Sequence, residues 1–374
     1  MDFSLHDEHL ALRDAVQRFC DGEYPVEQRG QPPSAEQRER RHAAMASLGL
    51  FGLTVPAEYG GSGLGAVEAM LVAQSLGAAL DAGTFVSSAV MAAGLIRSLG
   101  SPLQQQQWLP ALADGRLQAA LAVHERGARY DWHRVQTQAH PQGDGWRLEG
   151  HKSLVTGGET ADLLLVLART PGEGLSVLAV DAHSPGLRVQ AFDTLDGRRA
   201  AHLSLQGVTL GADRLLGPLG QAAGAVEAAL DAGVAALCAE AAGVVEALLA
   251  HTAEHLRTRR QFGAPLSKFQ VLQHRVADMA IDLEQLKSMA CVAAMAVQAG
   301  EPVQRRRLVS AAKVLASQKG RAIGLAAIQL HGAMGMTDEC RVGHYAKRLM
   351  VIGQSLGDAP WHLQRLQHPN GPQS

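Results

Sequence analysis

The chain has 374 residues, 47% of them apolar, 19% charged and 4% aromatic, with a formal net charge of −2. That composition excludes a disordered chain, and so small a net charge gives no footing for nucleic acid or an acidic membrane as a partner. The length allows two or three domains with cores built mainly of Ala, Leu and Val.

Residues 1–117 are expected to form a helical N-terminal domain. SLHDEHLALRDAVQRFC (4–20) opens with Ser4 as cap and sets Leu10, Leu12, Val16 and Phe19 near one face. VPAEYGGSGLG (55–65) is a Gly-rich loop, and AVEAMLVAQSLGAAL (66–80) and SAVMAAGLIRSLG (88–100) are further helices. The texture changes at about residue 118. GWRLEGHKSLVTGGETADLLLVLART (145–170), LSVLAVDA (175–182), LRVQAF (187–192) and AHLSLQGVTL (201–210) are short runs of Val, Leu and Thr between Gly, Asp and Pro. They predict a small antiparallel β domain over 118–217. Residues 218–374 turn helical again, with long amphipathic stretches at 225–260, 268–300 and 305–332 and a shorter fourth, which predicts a four-helix bundle. The fold class is therefore α+β: helical domain, middle β domain, helical bundle.

Four cysteines, Cys20, Cys238, Cys291 and Cys340, stand far apart with no CxxC pair. No metal site and no disulfide framework are expected, and a reducing cytoplasm fits. The opening MDFSLHDEHL lacks a basic and an apolar region, so no secretory leader is read there. No apolar run is read as reaching the ~20 residues that cross a bilayer.

Four stretches carry chemistry. RTRRQFGAPLSKFQ (257–270) puts three arginines at a helix end before a Phe-Gly turn. Those charges either complement the helix dipole or form an anion clamp, because Arg pairs bidentately with phosphate. AIQLHGAMGMTDE (327–339) follows Gln329 with Gly332, Ala333 and Gly335, small residues that permit close approach. LAVHERGARYDW (121–132) stands at the entry to the β domain, followed by KSLVTGGETADLLLV (152–166). Finally, LMVIGQSLGDAPWHLQRL (349–366) interrupts a helix with Gly353, Gly357, Asp358 and Pro360. Each Gly costs roughly 1 kcal/mol against Ala, and Pro360 cannot continue the ladder. Asp358 reads as the cap of the helix led by Pro360, with a catalytic role as the alternative.

In this order the motifs resemble those of the acyl-CoA dehydrogenase family. Its R-x-x-F-G-x-P…Q is met by Arg259, Phe262, Gly263, Pro265 and Gln270, and its Q-x-x-G-G-x-G by Gln329, Gly332 and Gly335 with Ala333 in place of one Gly. Its L-x-V-P-x-x-Y-G-G-x-G is met by Leu53, Val55, Pro56, Tyr59, Gly60, Gly61 and Gly63, and its L-A-D-M nearly by Val276, Ala277, Asp278 and Met279. The resemblance spans almost the whole chain. It implies FAD held between the β domain and the bundle and partly gripped by a neighbouring subunit. It also implies an acyl-CoA thioester dehydrogenated to trans-2-enoyl-CoA, and electrons passed to an electron-transfer flavoprotein. Arg259 would hold the FAD pyrophosphate and Phe262 would pack on the cofactor. Gln329, Gly332 and Ala333 would line the adenosine side, and Val123, His124 and Thr156 the isoalloxazine. His124 stands where the family has Thr, and Leu154 where it has Trp.

The same resemblance marks what is missing. Counted from Gln329 without a gap, the family's Glu-Gly-Thr falls on Leu356-Gly357-Asp358, so the general-base position is Leu356. Counted back from Arg259, the alternative base position falls on Gly233, with Val234 for its Arg. Glu240 shares the Gly233 helix face two turns on, about 10 Å along the axis. It is either a stand-in base or a buried carboxylate paired with Arg. Loss of both bases resembles the smaller subunit of bacterial α2β2 acyl-CoA dehydrogenases that degrade steroid side chains or dicarboxylic acyl-CoAs. A homologous partner would then supply the base. The alternatives are a self-sufficient homotetramer using Glu240, and a non-enzymatic flavin- or acyl-CoA-binding scaffold. Ala229, Ala232, Gly233 and Ala236 leave room for a bulky acyl chain, and the Ala-rich faces at 235–249 and 308–328 are expected to meet other subunits.

Overall fold

The computed structural model describes residues 5–170, 172 and 174–368. The N-terminal part contains α1 (Asp7–Glu23), α2 (Ala35–Ser47) and α3 (Ala66–Ala78). A π-helical segment (Phe85–Ala92) then runs into α4 (Ala93–Leu99), and α5 (Pro102–Ala113) follows. Ser4 lies outside the described residues. α1 opens after His6 and buries Val16, Phe19 and Cys20. Ser34 and Ser101 start α2 and α5, each completing a reciprocal cap with a Gln three residues on.

The middle part is one sheet of β1 (Ala119–Ala122), β2 (Gln138–Gln142), β3 (Gly145–Thr156), β4 (Leu163–Thr170), β5 (Gly174–Asp181), β6 (Leu187–Asp193), β7 (Arg199–Leu210) and β8 (Leu215–Leu216). The order is β6-β7-β3-β2-β4-β5-β8, with β1 pairing β4. Most pairs are antiparallel, as the sequence predicts, but β1 runs parallel to β4, Ala119 opposite Leu163 through Ala122 opposite Val166. β1 enters from the helical domain rather than through a hairpin, so nothing forces its direction to reverse. β4 and β5 are buried along most of their length because both sheet faces are covered.

The bundle begins with α6 (Ala223–Thr258) and a two-stranded hairpin, β9 (Arg260–Gln261) and β10 (Ala264–Pro265). α7 (Gln270–Ala299), α8 (Pro302–His331), α9 (Arg341–Gln354) and α10 (Ala359–Gln367) follow. Contrary to the sequence reading, α6 is long and apolar enough to cross a bilayer on composition alone, with a mean hydropathy of 1.7 in its most apolar window. That window is 78% buried within this chain, and core burial accounts for its apolarity.

The Ala-rich face expected to meet other subunits is likewise covered from inside. Residues 234–245 are all buried, and α3 lies along this part of α6. The approach depends on two glycines. A Cβ on Gly243 would lie 1.8 Å from the Gln74 carbonyl oxygen, and one on Gly77 would lie 2.3 Å from the Glu240 carbonyl oxygen. Gly243→Ala gains roughly 1 kcal/mol of helix propensity but forces two backbones apart. The expected net loss in unfolding free energy is about 1–3 kcal/mol, read as a lower urea midpoint at unchanged m-value.

Candidate active site

Two strand ends form one wall. The buried Val123 follows β1, and the Ser153 amide donates to the His124 carbonyl at 2.8 Å, which sets 123–124 beside 153–156. Beneath them lies a buried ion pair. Lys152 Nζ donates to Glu125 Oε1 at 2.7 Å, and the Glu125 carboxylate also accepts from the Gln136 amide (2.6 Å), the Thr137 amide (3.1 Å) and Thr137 Oγ1 (2.7 Å). Burial pulls the Lys152 ammonium down to about 8, opposed by Glu125. His124 Nδ1 is buried, and among the described residues nothing hydrogen-bonds to it. Burial, helped by the Lys152 charge, lowers the His124 pKa to about 4. The imidazole is therefore neutral, with its buried Nδ1 unpartnered among the described residues. Thr156 is exposed at the end of β3, and Leu154 is 58% exposed on left-handed backbone, φ 54°.

The turn between α9 and α10 packs near the 121–132 segment and is tied to it through Arg129 and Asp358. Leu356 (φ 54°) and Gly357 (φ 113°) both lie in the left-handed region. A Cβ on Gly357 would stand 2.5 Å from Trp361 Cδ1 and 2.6 Å from His362 Nε2, so only glycine fits. Asp358 is the cap, accepting from the Trp361 amide at 2.9 Å, and its second oxygen accepts from Arg129 Nη2 at 2.9 Å. The turn is also held from below. Lys313 Nζ donates to the carbonyls of Ile352 (2.8 Å) and Gly357 (2.7 Å), and His362 Nε2 donates to that of Leu356 (3.1 Å) while Nδ1 accepts from Ser310 Oγ (3.1 Å). Lys313 and His362 were not singled out from the sequence. A lone lysine among the apolar residues of SAAKVLAS was the available signal.

Gly233 and Leu356, the positions that the sequence reading marks as vacant base positions, meet. A Cβ on Gly233 would lie 3.0 Å from Leu356 Cδ1 and 2.6 Å from Met91 Sδ. The room that the small residues of α6 were expected to leave is thus filled at Gly233 by Met91, from the π-helical segment, and by Leu356. Ala229 and Ala236 are buried as well. A π-helical stretch commonly marks a functional site.

Glu240 faces elsewhere. Arg348 holds both its oxygens, Nε to Oε1 and Nη2 to Oε2 at 2.7 Å each, and Arg198 Nη2 reaches Oε1 at 2.6 Å. Burial alone would raise its pKa, but the two guanidiniums outweigh burial and hold it below the usual carboxylate range. This is the paired carboxylate weighed in the sequence, and such a group is a poor proton acceptor.

The remaining residues gather at the far end of the bundle. Arg259 follows α6 and is exposed. Phe262 is 90% exposed at the tip of the β9–β10 hairpin with φ 52°, its ring edge-on to Phe269 with centroids 6.0 Å apart. Gln329 near the end of α8, Gly332 and Ala333 are exposed too. His255 stacks on His331 at 4.2 Å, which ties the end of α6 to the end of α8. From Gly233 to Arg259 is 26 residues of α6, about 39 Å along the axis. One chain therefore brings Val123, His124 and Thr156 together at one place, and Arg259, Phe262, Gln329, Gly332 and Ala333 at another.

The buried imidazoles imply a pH dependence. Burial lowers His362 to about 3 and His124 to about 4. The unfolded chain, with histidines near 6.5, binds more protons between that value and the folded values, so stability falls as pH falls through this window. An expected loss of about 2–5 kcal/mol between pH 7 and pH 4.5 is checked by urea midpoints at the two pH values.

The comparisons with known proteins agree with this layout. The acyl-CoA dehydrogenase N-terminal domain model matches residues 6–116, the middle domain model 120–208 and the C-terminal domain model 223–363. The short-chain specific acyl-CoA dehydrogenase of mouse mitochondria is 30% identical over 97% of this chain and 89% of its own length. A chain of the ChsE4-ChsE5 complex from Mycobacterium tuberculosis superposes with a TM-score of 0.89 at 28% identity, covering 100% of both chains. A chain of the Tcur3481-Tcur3483 steroid ACAD superposes with a TM-score of 0.88 at 30% identity, covering 97% of this chain and 98% of that one. Three domain models in their expected order, over the same helical, β and helical parts, leave one assignment: this chain is a member of the acyl-CoA dehydrogenase family of flavoprotein oxidoreductases.

Proposed function

We propose that this chain is the base-lacking subunit of an FAD-dependent acyl-CoA dehydrogenase, acting beside a homologous subunit that carries the general base. One observation carries the reading. Gly233 and Leu356, the two positions from which the family reaches the substrate, lie against each other with Met91 in the gap, and neither can accept a proton. Of the two carboxylates weighed as stand-ins, Glu240 has both oxygens bound to arginines, and Asp358 caps α10 and pairs with Arg129. Two relatives reinforce the reading: one is a complex of two differently named proteins, and the other is named for a pair and for steroid chemistry. An acyl-CoA, steroid-bearing or otherwise, is the expected substrate of the assembly.

The residues present suit a flavin dinucleotide. The unpartnered Nδ1 of a neutral His124 is a hydrogen-bonding group for a flavin edge, and the exposed Arg259 is a clamp for a pyrophosphate. When bound, FAD supplies the hydride acceptor for the α,β-dehydrogenation. His124, Val123 and Thr156 orient its ring, while Leu356 and Met91 keep water and substrate from the Gly233 wall. Because about 39 Å of helix separates that wall from Arg259, the two grips serve different flavins, and each cofactor is shared between subunits. The exposed Phe262, Met336, Val271 and Ile281 of the bundle supply apolar surface for such an assembly, a heterotetramer or tetramer of homologous chains. Electrons leave to an electron-transfer flavoprotein, and free cysteines with no pairing suit the cytoplasm.

The test is complementation. Ferricenium reduction with a panel of acyl-CoAs is measured for the chain alone and after mixing with a homologue that has Glu at either vacant position. Activity only in the mixture is expected; robust turnover by the chain alone rejects the reading. A purified assembly with no flavin band in the visible spectrum favours the non-enzymatic scaffold.

A further inference from the structure

The turn joining β6 to β7 is tied to α6, which carries Gly233, and to α9, whose end leads into Leu356. Asp196 and Arg198 stand in this turn. Arg198 Nη2 donates to Glu240 Oε1 at 2.6 Å, and Arg348 Nη1 donates to Asp196 Oδ2 at 2.8 Å. Glu240 lies on α6, two helical turns after Gly233, and Arg348 lies on α9, whose end leads into Leu356. Glu240 and Arg348 also grip each other with two bonds. The four side chains are nearly closed off from water, with exposures of 18% for Arg198, 7% for Arg348, 5% for Glu240 and 1% for Asp196.

On the sheet side the same turn leads straight into the candidate flavin wall. β7 starts at Arg199, and Ala200 pairs with Thr156, the last residue of β3. The tether therefore starts two residues from the partner of Thr156 and ends on α6 and α9. Charge-assisted bonds in a dry junction are short and directional, which suits them to fixing a distance.

We propose that Asp196 and Arg198 are positioning residues that hold the Thr156 strand end at a fixed spacing above α6 and α9, and so set the width of the flavin cleft. This rests on the FAD reading of the preceding subsection only for its ligand. The tether accounts for a buried Glu240 that the chemistry does not use, and it assigns Glu240 and Arg348 the role of anchor.

Arg198→Gln and Asp196→Asn cut the tether singly and combined; each single variant leaves one unit of buried charge in the junction, and the double variant, which loses one charge of each sign, does not. Arg214→Gln is the control. It breaks the Arg214–Asp181 pair (3.0 and 2.7 Å), which lies within the middle domain and reaches no helix of the bundle. All are compared with wild type in the purified assembly by FAD titration, visible flavin band shape, thermal midpoint and amide hydrogen exchange. The tether variants are expected to bind FAD about tenfold more weakly, with altered band structure, and to exchange faster at 153–157 and 354–358. The control is expected to change none of these three. Unchanged exchange in both segments overturns the proposal, as does an equal response from the control at an equal loss of thermal midpoint. A wild-type assembly without flavin rejects the FAD reading instead, and exchange alone then decides the tether.

Discussion

Replacing Leu356 by glutamate is expected to create acyl-CoA dehydrogenase turnover in a chain expected to have none of its own. Loss of a positioned general base costs about 10²–10⁴ in rate, so the contrast with wild type is large. The geometry favours this position over Gly233. Leu356 already projects toward Met91 and the α6 wall from a turn whose carbonyls are pinned by His362 and Lys313. A carboxyl on Gly233 would have to displace Met91 Sδ. The apolar surroundings of Leu356 would raise the new carboxyl's pKa toward neutrality, the range a base at pH 7 needs. Met91→Ala in the same chain reopens the space beside Gly233 for an acyl chain. The measurement is ferricenium reduction by the flavin-loaded Leu356→Glu/Met91→Ala variant, with Leu356→Gln/Met91→Ala as the isosteric control. Turnover by both, or by the wild-type chain alone, would show that the base lies elsewhere.

Arg259→Ala is expected to strip flavin from the assembly. A charge-assisted pair to phosphate contributes about 1.5–3 kcal/mol, or one to two decades in affinity. Arg259 is exposed in the isolated chain, where salt screens its charge, so the difference from wild type should be largest at low ionic strength and shrink as salt is added. The lost flavin should be one whose ring lies against another subunit, because Arg259 stands about 39 Å along α6 from its own chain's Gly233 wall. Flavin absorbance per subunit after gel filtration checks this. A full complement of flavin in the variant rejects the clamp.

The order of the domains was written in local pattern. Period-3.6 apolarity marks α1, α3 and the bundle helices, and short β-branched runs between Gly and Pro mark β3 to β7, because such signals depend only on neighbours in the chain. The break after α9 was equally legible, since Gly357 and Pro360 forbid a continuous helix and Asp358 is a strong capping residue. Arg259, Phe262 and Gln329 could be picked out by motif. The parallel run of β1 on β4 could not, because strand direction is set by where the preceding domain delivers the chain. Nor could the inward use of the 235–249 face, since an Ala-rich surface looks the same whether α3 or another subunit covers it.

Tertiary structure alone decided the fate of the site. Gly233 and Leu356 are 123 positions apart, and only folding puts them in contact and fills the gap with Met91. Glu240 has the right helix face in sequence to replace a base. Its partners Arg198 and Arg348 come from a sheet turn and another helix, and their charges make it an anchor instead. Lys313 and His362 were invisible as site residues because their role is to hold backbone carbonyls of a distant turn. Residue identity fixes what a side chain can do chemically, and the long-range packing around it fixes which of those things it does.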